Sequence, residues 1–478
     1  MGQDVRAPTF SRVLGRLDLV LFSVAAILTI ESLASSASMG ASWFSWWIVV
    51  LVLFFVPYAL ITAELGAAWP SEGGVYVWVR EAFGPRWGSL AAWFYWINNA
   101  YWIPSVYMVF AATFHDIFLR GWIPAGLDRG PRATWLETAI AVVLTWLTVW
   151  LGVIRLSVSK WVPNLGALVK LAIFLFLGAL GIAALLEGRP PANPLTLDSM
   201  RPRLGDSLAF LPVLVYNVLG LELMSSAGEE MKDPQRDVPR AILASGALIG
   251  VVYALGILGI LLAVPLRKLS LVTGTWDALA VLGREWGAAG DAMVVLLGVG
   301  FLYACVASVV TWAIGANRVA AAAARDGSLP APLARLHPRH HTPHVAFLSM
   351  GALATVLLLG NASVAASASN VFWSLFKLSS LCFLFSYLMA FPSFLKLRLS
   401  HPGQRRPYRV PGGNVAALAA AALCFVFIAG ACVLFFRPAP DADPARAMRE
   451  TWLLVGECVA TLVVGLWLAP RAPRRLEP

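Results

Sequence analysis

Residues 23–47 read SVAAILTIESLASSASMGASWFSWW, an apolar segment interrupted by Thr29, Glu31, Ser32, Ser35, Ser36 and Ser38. Its length and hydrophobicity predict a membrane helix. A carboxylate at bilayer depth costs about 2.5 to 3.5 kcal/mol even on lenient insertion scales, so Glu31 is expected to face a protein-lined cavity rather than lipid. The neighbouring hydroxyls weaken a helix because Ser and Thr side chains compete for its backbone hydrogen bonds. The stretch therefore predicts a discontinuous helix that lines a solute site.

Working outward, the rest of the chain has the same character. Of its 478 residues 59% are hydrophobic, 13% charged and 20 are Trp, and the mean hydropathy is +0.74. Soluble domains are about 25% charged, so this composition is that of a polytopic membrane protein embedded in a lipid bilayer. Apolar runs predict twelve spans, at 17–38, 44–68, 87–114, 134–153, 161–186, 207–227, 240–263, 288–316, 343–361, 367–395, 414–436 and 450–469. The connections between them are too short for a nucleotide-binding or catalytic module. No nucleophile and base converge, so the chain does not read as an enzyme and no cofactor is expected.

The net charge of +10 is explained by basic loops on one side of the membrane, without nucleic acid. Arg6, Arg12 and Arg16, the pair Arg80 and Arg86, Lys232 with Arg236 and Arg240, the run from Lys396 to Arg409, and Arg471 to Arg475 all fall on the same side. That bias places both termini, 1–16 and 470–478, in the cytoplasm. The five cysteines lie in apolar runs without metal-like spacing and read as small buried hydrophobes. His337, His340, His341 and His344 sit in HPRHHTPH, where Pro338 and Pro343 prevent regular helical spacing, so no metal site is assigned,.

Two cytoplasmic connections carry more than charge. WPSEGGVYVWVREAFGPRW, residues 69–87, breaks at Gly73 and Gly74 and then presents Tyr76, Trp78, Val79 and Phe83 on one turn-repeat, which suits a short interfacial helix,. GEEMKDPQRDVPRAI, residues 228–242, sets Pro234 and Pro239 around a charged turn ahead of the seventh span,.

The second string resembles the loop between helices six and seven of the amino acid, polyamine and organocation transporters. NRVAAAAARDGSLP at 317–330 is similar to that family's loop after helix eight, and RPYRVPG at 406–412 to its segment before helix eleven. Residues 57–88 resemble the branches that contain glutamate/GABA antiporters and plant-type polyamine symporters. The latter also carry a Glu in helix one and an Asn-Ala pair in helix three, here Glu31 and Asn99-Ala100. The resemblance implies an all-α, LeuT-type fold of twelve transmembrane helices. Five helices (17–186) are repeated in inverted topology (207–395), helices one and six are unwound at the midplane, and two peripheral helices (414–469) complete it.

One departure matters. Family members that bind amino acids commonly place Gly-x-Gly in the first break, and here Thr29, Ile30 and Glu31 occupy it. A carboxylate there repels a substrate carboxylate and favours an amine, a polyamine or a cationic amino acid bound amine-first. With Ser32 these residues form the first wall of the expected substrate site. The second is LVYNVLGLELMSSAGEE, where Gly220 lies between Asn217 and Glu222 with Tyr216 adjacent; Gly costs about 1 kcal/mol in a helix and suits an unwound turn,. Glu222 reads equally well as a structural acid. Asn98, Asn99 and Tyr101 in the third span, Tyr303 in the eighth and Trp373 in the tenth are further wall candidates, because aromatic faces attract cations.

Lys170 lies about 14 Å inside the fifth span at 1.5 Å per residue, too deep to snorkel. In relatives with lysine at this point the amine stands where sodium-coupled members bind a cation. The resemblance therefore implies sodium independence, with protons as the coupling ion, or an amine that only fixes neighbouring helices. Lys377 is a second buried amine, expected to pair with Glu31, Glu222 or Glu64, or to gate the path. Glu64 reads as structural. The resulting expectation is an inner-membrane secondary transporter for an amino acid or small organic amine. It would work by alternating access, as a proton-coupled carrier or as an exchanger of the glutamate/GABA type.

Overall fold

The computed structural model describes residues 16–69, 73–120, 122, 130–154, 161–202, 206–223, 234–284, 286–437 and 444–469. Ser225, Ser226 and the charged start of the loop at 228–233 lie outside them. The elements in order are α1 (Arg16–Ile27), α2 (Leu33–Ala37), α3 (Ser42–Val50), α4 (Val56–Ala68), α5 (Val75–Phe83), α6 (Pro85–Phe114), α7 (Pro131–Val153), α8 (Trp161–Leu186), α9 (Leu197–Met200) and α10 (Leu211–Tyr216). They continue with α11 (Pro234–Ala263), α12 (Gly274–Arg284), α13 (Gly287–Arg325), α14 (His344–Val364), α15 (Ala368–Ser400), α16 (Gly413–Phe435) and α17 (Pro444–Leu468). No strand occurs among the described residues.

Ten helical stretches among the described residues are long and apolar enough to cross a membrane. One of them joins α3 to α4 through a π-turn at Leu51–Phe55. The first and sixth runs read from the sequence are absent from the ten, because each is broken. α1 stops at Ile27 and the short α2 resumes at Leu33. α10 stops at Tyr216, and Gly220 follows with φ +116. These two breaks lie at the centre, where α1 packs on α8, α11 and α13, and α6 runs along α13 and α15. Close helix approach depends on small residues, as membrane packing requires. A Cβ at Gly259 of α11 would sit 2.3 Å from the Leu177 carbonyl oxygen of α8.

Two of the family-like strings, NRVAAAAARDGSLP and RPYRVPG, have structural work, the first of them together with the helix after Gly74. α5 is the short helix expected after Gly74, but its aromatic face is spent on protein rather than on an interface. Tyr76, Trp78 and Val79 are buried against α6 and α15. At its rim Arg80 pairs with Asp326, and Tyr76 donates to Asp326 at 3.0 Å and meets Ser328 at 3.0 Å, tying α5 to the loop after α13.

RPYRVPG closes over Glu64. That carboxylate pairs with Arg398, lies 3.3 Å from the Arg406 guanidinium, and accepts the Val410 N–H at 2.7 Å. Arg406 also donates to the Leu397 and His401 carbonyls, both at 2.9 Å. Buried charge-assisted bonds of this kind contribute about 1.5 to 3 kcal/mol. Arg406→Gln is expected to destabilise by about that amount, measured as a lower midpoint in thermal unfolding of detergent-solubilised protein, with ligand affinity unchanged.

Candidate functional site: two facing helix breaks

Breaking α1 frees the carbonyls of its last turn, which in a continuous helix would be bonded four residues on. Three side chains from three other helices take them up. Lys170 of α8 donates to the Ala25 oxygen at 2.6 Å, Trp312 of α13 to Ala26 at 3.0 Å, and Tyr253 of α11 to Ile27 at 3.2 Å. The negative end of the α1 dipole thus meets an ammonium. Beyond the break, the Thr29 N–H donates to Tyr253 Oη at 2.8 Å.

The two breaks are clasped by Asn217. Its Oδ1 accepts from the Thr29 hydroxyl at 3.0 Å and the Ser32 hydroxyl at 2.8 Å, and its Nδ2 donates to Ser36 Oγ at 2.9 Å. At the second break, the N–H groups of Gly220 and Leu221 donate to Tyr58 Oη at 3.1 and 3.0 Å. Tyr58 in turn donates to Glu222 at 2.8 Å, Tyr95 donates to it at 2.9 Å, and Tyr387 is its third donor. Glu222 is therefore saturated by tyrosines of α4, α6 and α15. Gly220 is required twice: its φ of +116 disfavours any side chain, and a Cβ there would lie 3.1 Å from Trp312 and 3.4 Å from Ile27,.

Glu31 has the opposite environment. It is 2% exposed, and neither carboxylate oxygen finds a hydrogen-bond partner among the described residues. Lys170 acts on it through space, with Trp102 alongside, but the ammonium itself is committed to Ala25. Ser35 Oγ and Asn99 Oδ1 are also buried without partners among the described residues, and the Trp102 N–H approaches the Glu31 carboxylate without reaching hydrogen-bond geometry. Buried polar groups are usually bonded, so these atoms leave hydrogen-bonding capacity that a ligand's own groups can use,. Aromatic rings wall the chamber: Trp312 lies 6.0 Å from Trp102, 6.5 Å from Tyr95 and 5.4 Å from Phe383, and Phe383 lies 5.7 Å from Tyr216.

Of the residues singled out in the sequence, Thr29, Glu31, Ser32, Tyr216, Asn217, Gly220 and Glu222 converge here with Lys170, Ile30 lies within the first break, and Asn99 stands one turn along α6 from Tyr95, to whose carbonyl it donates at 3.2 Å. Asn98 joins at the edge, accepting from Ser379 at 2.6 Å. Four others stand apart. Tyr101 turns to Thr461 of α17 at 3.3 Å, and Tyr303 donates to the Val162 carbonyl at 3.3 Å. Trp373 packs on Phe210, and Lys377 lies over the Trp373 ring, 5.4 Å from its centroid. The carboxylate acting on Lys377 is Glu450 of α17, not Glu31, Glu222 or Glu64. The histidine string folds as a turn, with the His337 ring 4.7 Å from His340 and 5.6 Å from His344. Sequence reading missed Trp312, Tyr253, Tyr58, Tyr95 and Tyr387. A hydroxyl or indole N–H in the middle of an apolar run needs a partner, and that signal was available for all five.

A family model described as amino acid permease matches residues 14–464. The chain belongs to that family, within the amino acid, polyamine and organocation transporters. The permease is 34% identical over 400 residues to a probable agmatine/putrescine antiporter of Lactococcus lactis, covering 83% of this chain and 82% of the relative. It is 29% identical over 374 residues to a polyamine transporter of Oryza sativa, covering 78% and 64%. An aspartate/glutamate permease of Lactococcus lactis shares 24% over 459 residues, covering 91% and 90%. The permease shares its fold with MhsT, solved in complex with L-phenylalanine, at TM-score 0.57 and 14% identity over 89% of this chain and 99% of that one.

Proposed function

We propose that the permease is a secondary transporter that carries a small organic amine across the cytoplasmic membrane by alternating access. The observation that carries this reading is the partnerless Glu31 carboxylate, closed off between the two helix breaks and walled by aromatic rings. An ammonium or guanidinium brings both the charge and the N–H donors that this carboxylate and Asn99 Oδ1 lack. A substrate carboxylate would meet repulsion at the same place.

In this reading the chain crosses the membrane twelve times, the ten unbroken stretches being joined by α1 with α2 and by α10 with the residues after it. The crossings form two inverted repeats of five, 17–186 and 207–395, followed by two peripheral helices, and both termini are cytoplasmic. The half-helices swing about their breaks while the substrate stays between them. Lys170 brings a fixed ammonium to the end of α1, and the family resemblance implies that it replaces a coupling cation; in this reading uptake is sodium-independent and coupled to protons or to counter-movement of a second amine.

Thermal unfolding of purified protein tests the substrate class. Putrescine, agmatine and simple monoamines are expected to stabilise, by about 2.7 kcal/mol at 100 times the Kd. If only zwitterionic or acidic amino acids stabilise, the amine reading fails and exchange of amino acids replaces it.

A further inference from the structure

Away from the chamber, α12 builds a second polar cavity. Trp276, Asp277, Ala280, Val281 and Arg284 share one face of that helix, and with Arg120 at the end of the π-turn that extends α6 they line a cavity of about 330 Å³,. Small-molecule sites begin at about 300 Å³. The floor is fixed in place. Trp276, Ala280 and Val294 form a small buried cluster of their own with Ile117 packed on it. Gly298 of α13 admits them, since a Cβ there would lie 2.6 Å from Trp276 and 2.8 Å from Ile117.

The charges on the walls are divided between two ends. Asp277 accepts from the Thr273 hydroxyl at 2.9 Å and has Asp116 and Arg120 within electrostatic reach; Arg120 lies 3.7 Å from Asp116. At that end Asp277 and Arg120 line the cavity, and Asp116, outside the lining, offsets the Arg120 charge. Arg284 stands two turns further along α12, about 10 Å at 1.5 Å per residue, and supplies a guanidinium fork. The cavity is dipolar with its charges balanced. It discriminates against a lone cation or a lone anion and matches a solute that carries both.

We infer that this cavity binds a small zwitterion, with its ammonium at Asp277 and its carboxylate or phosphate at Arg284, over the Trp276 floor. The site is separate from the Glu31 chamber yet mechanically joined to it. α12 rests on α2, where a Cβ at Gly274 would lie 3.1 Å from Ala34, so a zwitterion tying α12 to the end of α6 also holds the half-helix that follows the first break. The same chemistry is offered by a free amino acid and by an ethanolamine phospholipid head group.

The test uses full-length protein in phosphatidylglycerol nanodiscs, with L-alanine, propylamine and propionate as size-matched probes and hydrogen exchange of residues 274–284 as readout. L-alanine is expected to slow exchange there, with propylamine and propionate at least tenfold weaker. Asp277→Asn and Arg284→Gln are each expected to weaken the L-alanine effect about tenfold or more, and Glu31→Gln to leave it intact. Exchanging phosphatidylglycerol for phosphatidylethanolamine separates the sources: protection by that lipid alone, lost in Asp277→Asn, assigns the site to the head group. The proposal is overturned if neither L-alanine nor phosphatidylethanolamine protects α12. It is equally overturned if protection survives in the Asp277→Asn, Arg284→Gln double variant, or disappears in Glu31→Gln.

Discussion

Glu31→Gln is expected to weaken amine binding by at least about 30-fold while leaving the fold intact. Removing one member of a buried, hydrogen-bonded charge pair costs about 2 to 5 kcal/mol, and each 1.4 kcal/mol is a factor of ten. Gln keeps the shape of the side chain, and no internal hydrogen bond to the carboxylate is lost, because Glu31 makes none among the described residues. Folding and binding therefore separate: thermal unfolding without ligand stays close to wild type, while stabilisation by putrescine or agmatine disappears. An unchanged amine affinity in Glu31→Gln would remove the carboxylate from the site.

Lys170→Ala is expected to act on both folding and coupling. Lys170 is 1% exposed, caps Ala25 and is the cation that faces Glu31. Its loss leaves a buried carboxylate uncompensated, an effect of about 3 to 5 kcal/mol when a buried pair is broken. Lys170→Met, which keeps most of the packing, isolates the charge from the volume. In both variants an amine ligand is expected to stabilise by more than it does in wild type, since its cation takes over the role of the missing ammonium. Proton-driven uptake into proteoliposomes is expected to be lost, and uptake persisting unchanged in Lys170→Met would assign Lys170 a purely structural role.

Much of this site was legible in the chain because the membrane makes polar residues expensive. Glu31 among four close serines, and Gly220 between Asn217 and Glu222, announced two breaks, and both occur where a continuous helix would have left them unexplained. Among the described residues ten of the twelve predicted runs appear as unbroken helices with ends shifted by a few residues, save the eighth, which continues past its predicted end at 316 to Arg325. The substrate walls were harder. Tyr101 and Tyr303 turn instead to Thr461 and to the Val162 carbonyl, and a sequence without known helix rotation does not distinguish them from Tyr95 and Trp312. The role of Glu222 was left open between ligand and structure for a similar reason. Its three tyrosine donors come from positions 58, 95 and 387, brought together only by packing of α4, α6 and α15. The aromatic turn at Tyr76 to Phe83 read as an interfacial helix because its pattern is amphipathic, and amphipathicity alone does not say whether the apolar face meets lipid or protein.

The satisfied state of Glu222 has an electrical consequence. With the Glu222 acceptors taken up by tyrosines, Glu31 and Lys170 are the charged groups left to meet a ligand, and those two offset each other. A monovalent amine bound beside a still-protonated Lys170 adds one positive charge to the moving unit, and each elementary charge is worth about 2.3 kcal/mol per 100 mV of membrane potential. Exchange of one such amine for another would then be indifferent to voltage, whereas net uptake would draw current unless Lys170 gave up its proton on the way.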